Sequence, residues 1–260
     1  MTQPGYALVT GASRGLGKYF AAALARRKQN LVLVARSNER LEKVAEKLRA
    51  AHGVSVETIS IDLARSNAGR DLARELRERN LVIDLLVNNA GFGDHGEFVK
   101  LSLERQLEMI RLQNSTAVEL THELLPSMIE QRRGGIINVS SMAGFQPIPY
   151  ATIYSATKSF LTTFSLALEA EVSRYKLAVV TLCPGRLRAD PEDEELERRK
   201  VPGGEQSHKE VVRDALRILD QGGGLVIPGA VNKFAAFAER FIPRGRVARL
   251  IAKMTKPGRS

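Results

Sequence analysis

Thr10-Gly11-Ala12-Ser13-Arg14-Gly15-Leu16-Gly17 stands between an apolar run, Tyr6–Val9, and an amphipathic stretch, Leu16–Arg27. Glycines at this spacing let a backbone turn sharply and come close to a pyrophosphate. A helix opening at that point presents free N–H groups and a partial positive charge to the same anion. A glycine triplet alone marks any tight turn. With a strand before it and a helix after it, the triplet marks a dinucleotide loop. Gly11, Ser13, Arg14, Gly15, Leu16 and Gly17 are therefore candidate cofactor contacts.

Outward from this loop the alternation repeats. Leu31–Ala35, Val54–Ile61, Leu81–Val87, Ile136–Ser140, Ala178–Leu182 and Leu225–Ile227 read as further strands. Most lack polar alternation, as expected for parallel strands covered on both faces. Glu39–Ala51, Asn67–Asn80, Ser102–Arg132, Tyr150–Tyr175 and Ser207–Gln221 read as helices between them, and Ser207-His208-Lys209-Glu210 has capping-box spacing. The pattern predicts an α/β chain: a single doubly wound (Rossmann) domain with a mostly parallel seven-stranded sheet over residues 1–231. Residues 186–206 are one long, charge-dense irregular stretch, read either as a lid or as a solvated surface helix. A C-terminal helical extension follows over 232–260. There Phe234, Phe237 and Phe241, then Val247, Leu250, Ile251 and Met254, predict two amphipathic helices broken at Ile242-Pro243-Arg244-Gly245.

The 260 residues carry 39 Lys plus Arg against 29 Asp plus Glu, a net +10. Residues 232–260 hold +7 of this and the preceding 231 residues only +3. The excess is thus local. It comes with no aromatic platform or base-reading motif, so no nucleic acid partner is expected. A basic amphipathic tail fits a subunit or sheet-edge contact, or peripheral contact with a membrane surface. An apolar fraction of 43% excludes disorder. Cys183 is the one cysteine, and the four histidines are scattered, so neither a disulfide nor a metal site is expected. No signal peptide and no long apolar run stand out, which points to a cytoplasmic protein with membrane association through the tail as the further option.

The second strand ends Leu33-Val34-Ala35-Arg36. A carboxylate at residue 35 would accept hydrogen bonds from a free adenosine ribose and repel a 2′-phosphate. Alanine stands there instead, with Arg36 beside it and Arg14 in the glycine loop. Two guanidiniums pair well with a phosphate dianion, so NADP(H) is expected over NAD(H). Farther on, Tyr154-Ser155-Ala156-Thr157-Lys158 places a phenol and an ammonium on one face of a helix. Ser141 lies 13 residues upstream, at the end of a strand.

Together with Asp62-Leu63, Asn88-Asn89-Ala90-Gly91, Val139-Ser140-Ser141 and Cys183-Pro184-Gly185, these motifs resemble the short-chain dehydrogenase/reductase family, in its order and at its spacings over roughly residues 5–229. Phe145-Gln146-Pro147, Pro228-Gly229 and the basic tail look most like its bacterial ketoacyl reductase-like branch. The resemblance implies an NADP(H)-dependent oxidoreductase that reduces a hydrophobic or acyl ketone or oxidises the corresponding alcohol. It implies Tyr154 as proton donor and acceptor and Ser141 as hydrogen-bond donor to the same oxygen, with Lys158 and the nicotinamide's charge together favouring the phenolate and Lys158 also holding the nicotinamide ribose. Asp62 and Leu63 would meet the adenine. Asn89, Ala90 and Gly91 would meet the adenosine ribose, and Pro184, Gly185 and Leu187 the nicotinamide. A homo-oligomer, dimer or tetramer, would form through the helices at 102–132 and 150–175. An NADP(H)-binding regulatory protein with little or no turnover is the alternative.

Two positions depart from the family pattern. Its fourth catalytic residue is an asparagine, and ungapped matching puts Gln113 there; Asn114 is one residue on, about 100° round the helix, unless the helix is irregular. The usual hydroxyl four residues after Gly185 is replaced by Ala189, which Arg186 or Arg188 would offset by meeting phosphate.

Overall fold

The computed structural model describes residues 5–188 and 204–255. Seven strands form one sheet: β1 (Tyr6–Thr10), β2 (Asn30–Ala35), β3 (Val56–Ser60), β4 (Ile83–Asn88), β5 (Gly135–Val139), β6 (Ala178–Leu182) and β7 (Gly223–Val226). Their order is β3-β2-β1-β4-β5-β6-β7, and every pairing is parallel. The chain therefore winds one way from β1 to β3 and the other way from β4 to β7. The crevice between β1 and β4 is where such sheets bind ligands, beyond the carboxyl ends of the strands.

The side-chain period of two sorts each strand between two cores. Ala7, Val9 and Leu33 face the layer of α1 (Gly15–Arg26), α2 (Asn38–His52) and α7 (His208–Asp220), packing with Phe20, Leu41 and Val211. Leu8, Val32 and Leu86 face the opposite layer of α3 (Ala68–Glu78), α5 (Thr116–Gln131) and α6 (Thr152–Val172), packing with Leu72, Leu120 and Leu168.

Two local expectations change. The helix expected over 102–132 is not continuous: α4 (Leu103–Ile110) passes through one wide π turn at Arg111–Ser115 into α5. Ser207 precedes α7 but its side chain makes no cap bond, so the capping box is not formed. The expected mostly parallel seven-stranded sheet is met, with every pairing parallel.

The extension forms the two expected helices, α8 (Ala230–Ala238) and α9 (Arg244–Thr255), joined by the single turn Glu239–Phe241. Pro243, which has no N–H to give, sits at the break. Phe234 and Phe241 are 72% and 74% exposed, so the helices do not bury these rings against the sheet.

Candidate active site

The glycine loop is held from below by Thr10 and Asn89. Thr10 Oγ1 accepts from the backbone N–H groups of Asn89 and Ala90, each at 3.0 Å. Asn89 Nδ2 donates back to Thr10 O at 2.8 Å. This lacing brings β4 so close that a Cβ on Gly11 would lie 2.9 Å from Ala90 Cα, and one on Gly17 would lie 2.3 Å from Gly11 O. Gly15, at φ +51°, faces open space. The side chain of Arg14 does not cap α1, so the first N–H groups of that helix remain available at the open side. Arg14 and Arg36 are both exposed, and neither forms an ion pair among the described residues. The loop thus fits a phosphate-bearing cofactor: a cradle without side chains, a helix N-terminus and two uncommitted guanidiniums.

Asp62 and Leu63 follow β3 beside this crevice. Asp62 Oδ1 accepts from Ala64 N at 3.0 Å, and Leu63 O accepts from Thr116 Oγ1 at 2.7 Å. Asn88 is buried in a polar chain, donating to Asn138 Oδ1 at 2.8 Å, while Asn138 donates to Ser165 Oγ at 2.8 Å. That chain locks β4, β5 and α6 together.

At the reacting end, Ser141 opens a short turn after β5, its Oγ accepting from Ala143 N at 3.1 Å. Burial pushes the Tyr154 phenol above its ordinary value, and hydrogen bonding with Ser141 opposes the rise. Lys158 is 5% exposed, and its Nζ donates to Val139 O at 2.9 Å. Nζ lies 5.8 Å from the centre of the Tyr154 ring. Burial lowers its pKa to about 8, with the Cys183 thiol opposing. Burial is thus the largest influence on the phenol in this structure, and Lys158 is not among the causes that shift it. Gly93 packs on the ring, where a Cβ would fall 3.3 Å from Cδ2.

The π turn brings both Gln113 and Asn114 inward, because a wider turn rotates successive residues by less than the α-helical angle of about 100°. Asn114 Nδ2 donates to Thr157 O at 3.0 Å, next to Lys158. Gln113 Nε2 donates to Phe92 O at 3.0 Å, and its Oε1 is buried without a partner. Oε1 lies where only glycine fits, 2.9 Å from a Cβ on Gly91.

Pro184, Gly185 and Leu187 are organised by a residue not singled out from the sequence. Gln206 Oε1 accepts from Gly185 N at 2.8 Å, its backbone bridges Leu187, and its Nε2 donates to Pro228 O at 2.6 Å. A lone glutamine carries no spacing signal, which is why it went unread. Pro184 O accepts from Met142 N at 3.0 Å, tying this strap to the Ser141 turn. Arg186 forms an ion pair with Glu205 at 3.7 Å. Ala189 and the charged stretch through residue 203 lie outside the described residues. Among the described residues no group of His, Cys, Asp or Glu is placed to hold a metal ion.

The sequence profile of the short chain dehydrogenase family matches residues 5–200. "Hydroxysteroid dehydrogenase-like protein 1" of Gallus gallus is 36% identical over 185 residues, 69% of this chain and 54% of that one. "Ketoacyl reductase HetN" of Nostoc sp. is 35% identical over 178 residues, 68% of this chain and 62% of that one. The chain thus spans a little over half the length of these curated relatives. Among solved structures, a short-chain dehydrogenase from Sphingobium yanoikuyae in complex with NADPH superposes with TM-score 0.80 at 30% identity, covering 98% of both chains.

Proposed function

Because the chain belongs to the short-chain dehydrogenase family, we propose that it is an NADP(H)-dependent oxidoreductase that reduces a hydrophobic or acyl ketone, or oxidises the corresponding alcohol. The observation that carries this reading is the convergence of Ser141, Tyr154 and Lys158 at the carboxyl end of β5, beside a phosphate cradle at the β1/β4 crevice.

NADP(H), when bound, supplies or accepts the hydride. The glycine loop and the first turn of α1 bind its pyrophosphate, and Arg14 and Arg36 pair with the 2′-phosphate. Asp62 and Leu63 flank the adenine. Asn89, Ala90 and Gly91 lie under the adenosine ribose, and Pro184, Gly185 and Leu187 border the nicotinamide. Ser141 donates a hydrogen bond to the substrate oxygen and steadies its developing charge. Tyr154, protonated at rest, gives that oxygen its proton, which suits the reducing direction. Lys158, cationic below about pH 8, stabilises the phenolate that proton transfer leaves behind and holds the nicotinamide ribose. Gln113, buried with its Oε1 unpartnered, fills the fourth position in this reading, while Asn114 donates to Thr157 O next to Lys158.

An apolar substrate suits Phe92, Phe145 and Pro147 around the site, and the names of the two relatives point to acyl or steroid ketones. Exposed Phe98, Val99, Leu103 and Leu107, with Phe160 on α6, supply a face for a homo-oligomer. The exposed phenylalanines of the basic extension supply a peripheral membrane contact.

The test is NADPH consumption across acyl, steroid and small aromatic ketones. Ketone-dependent oxidation with at least one class is expected. Tight NADPH binding with no turnover on any class would overturn the enzyme in favour of a cofactor-binding regulator.

A further inference from the structure

The strap Pro184–Leu187 is gripped from behind by one residue. Gln206 Oε1 accepts from Gly185 N at 2.8 Å, and Nε2 donates to Pro228 O at 2.6 Å. The partners fix which end of the amide faces which way, because a backbone N–H only donates and a carbonyl oxygen only accepts. The main chain of Gln206 holds the strap on either side of Leu187. Its N–H donates to Arg186 O at 2.8 Å, and its carbonyl accepts from Arg188 N at 3.0 Å.

A second amide stands behind the first. Asn232, on α8, donates through Nδ2 to the same Pro228 O at 3.0 Å. It comes so near the strap that a Cβ on Gly185 would fall 2.5 Å from Nδ2. Gly229, at φ +84°, is crowded in the same way, since a Cβ there would fall 2.9 Å from Gln206 Nε2. Residues 185 and 229 are therefore glycines for the sake of the amides packed on them. The front of the strap is tied to the reacting end. Pro184 O accepts from Met142 N at 3.0 Å, in the turn that Ser141 opens. Gln206 itself is half-buried, and its side-chain bonds join segments 21 and 22 residues away. What those bonds fix is where the strap stands.

We infer that Gln206 is a positioning residue for the nicotinamide half of the cofactor. It acts through the Gly185 peptide and Leu187, which it holds against the ring, and not by touching the ring. The inference rests on the NADP(H) oxidoreductase reading above. Reacting groups displaced by about 1 Å cost about 10²-fold in rate, so a reacting ring needs walls that are themselves braced. The phosphate cradle at the β1/β4 crevice shares none of these bonds and keeps its grip without them.

The experiment measures binding by calorimetry on the full chain with two ligands, NADP⁺ and 2′-phospho-ADP-ribose, which has the adenosine and pyrophosphate but no nicotinamide. Gln206→Met keeps the reach of the side chain and removes both polar ends. It is expected to weaken NADP⁺ about tenfold and to leave 2′-phospho-ADP-ribose within about twofold of the parent. Retained binding of the second ligand shows that the variant is folded. Unchanged NADP⁺ affinity in Gln206→Met, or equal weakening of both ligands, overturns the positioning role while the cofactor reading stands. No binding of NADP⁺ by the parent overturns both. Selective weakening of NADP⁺, with no ketone-dependent turnover in the parent, overturns the redox reading and upholds the positioning role.

Discussion

Lys158 illustrates how a single side chain couples stability to chemistry. Its folded pKa, about 8, lies below the ordinary 10.5. Below pH 8 the lysine is protonated in both states and folding must bury the cation, so the full cost is present there. Between about 8 and 10.5 the unfolded chain binds the proton and the folded one does not, so stability rises with pH through that window. Lys158→Met should therefore be more stable than the parent at pH 7, by up to about 3 kcal/mol, with the gap narrowing toward pH 10. Urea unfolding at the two pH values checks this. Arg36 makes a different demand. Arg36→Ala should lower the NADPH-over-NADH preference in kcat/KM by about tenfold or more, because a charge-assisted bond to phosphate is lost. Ser141, Tyr154 and Lys158 were legible because helical spacing and a strand end place them locally. Gln206 was not, because it acquires its meaning from residues far away in sequence, Gly185 and Pro228.

At the scale of the element, the π turn at Arg111–Ser115 resolves what α-helical geometry left as a choice. A regular helix sends Gln113 and Asn114 to different faces, and the wide turn sends both inward with separate partners. Nothing in Arg111-Leu112-Gln113-Asn114-Ser115 signals such a turn, since it answers to the contacts with Phe92 and Thr157. The two residues should separate by measurement. Gln113→Ala should lower kcat by about tenfold if this residue fills the fourth position. Asn114→Ala should lower stability by about 1 kcal/mol, the worth of the buried bond to Thr157. Strand and helix ranges were legible to within a few residues because parallel strands read as short apolar runs. The capping box was not, because spacing cannot report whether the Ser207 hydroxyl turns toward the helix.

Across the whole molecule, one all-parallel sheet gathers every candidate residue at its carboxyl edge. The glycine loop with its flanking strand and helix already implied this, since the β1/β4 reversal follows from the winding. The extension was legible as two basic helices but not as exposed ones. Phe234 and Phe241 are exposed on an extension that also carries Lys233, Arg246 and Arg249. The double variant Phe234→Ser/Phe241→Ser should sharply reduce sedimentation with anionic liposomes and leave ketone reduction in detergent-free buffer intact. Undiminished sedimentation would remove the membrane contact. Among the described residues no helix is long and apolar enough to cross a bilayer. The central claim is proton transfer from Tyr154 to a carbonyl oxygen beside bound NADPH. It is tested most directly by ketone-dependent NADPH oxidation in the parent and in Tyr154→Phe, with NADPH affinity measured in both. A loss of about 10²–10⁴-fold in kcat with affinity retained is the predicted result. Equal rates in the two proteins, or no ketone-dependent oxidation in the parent, would contradict it.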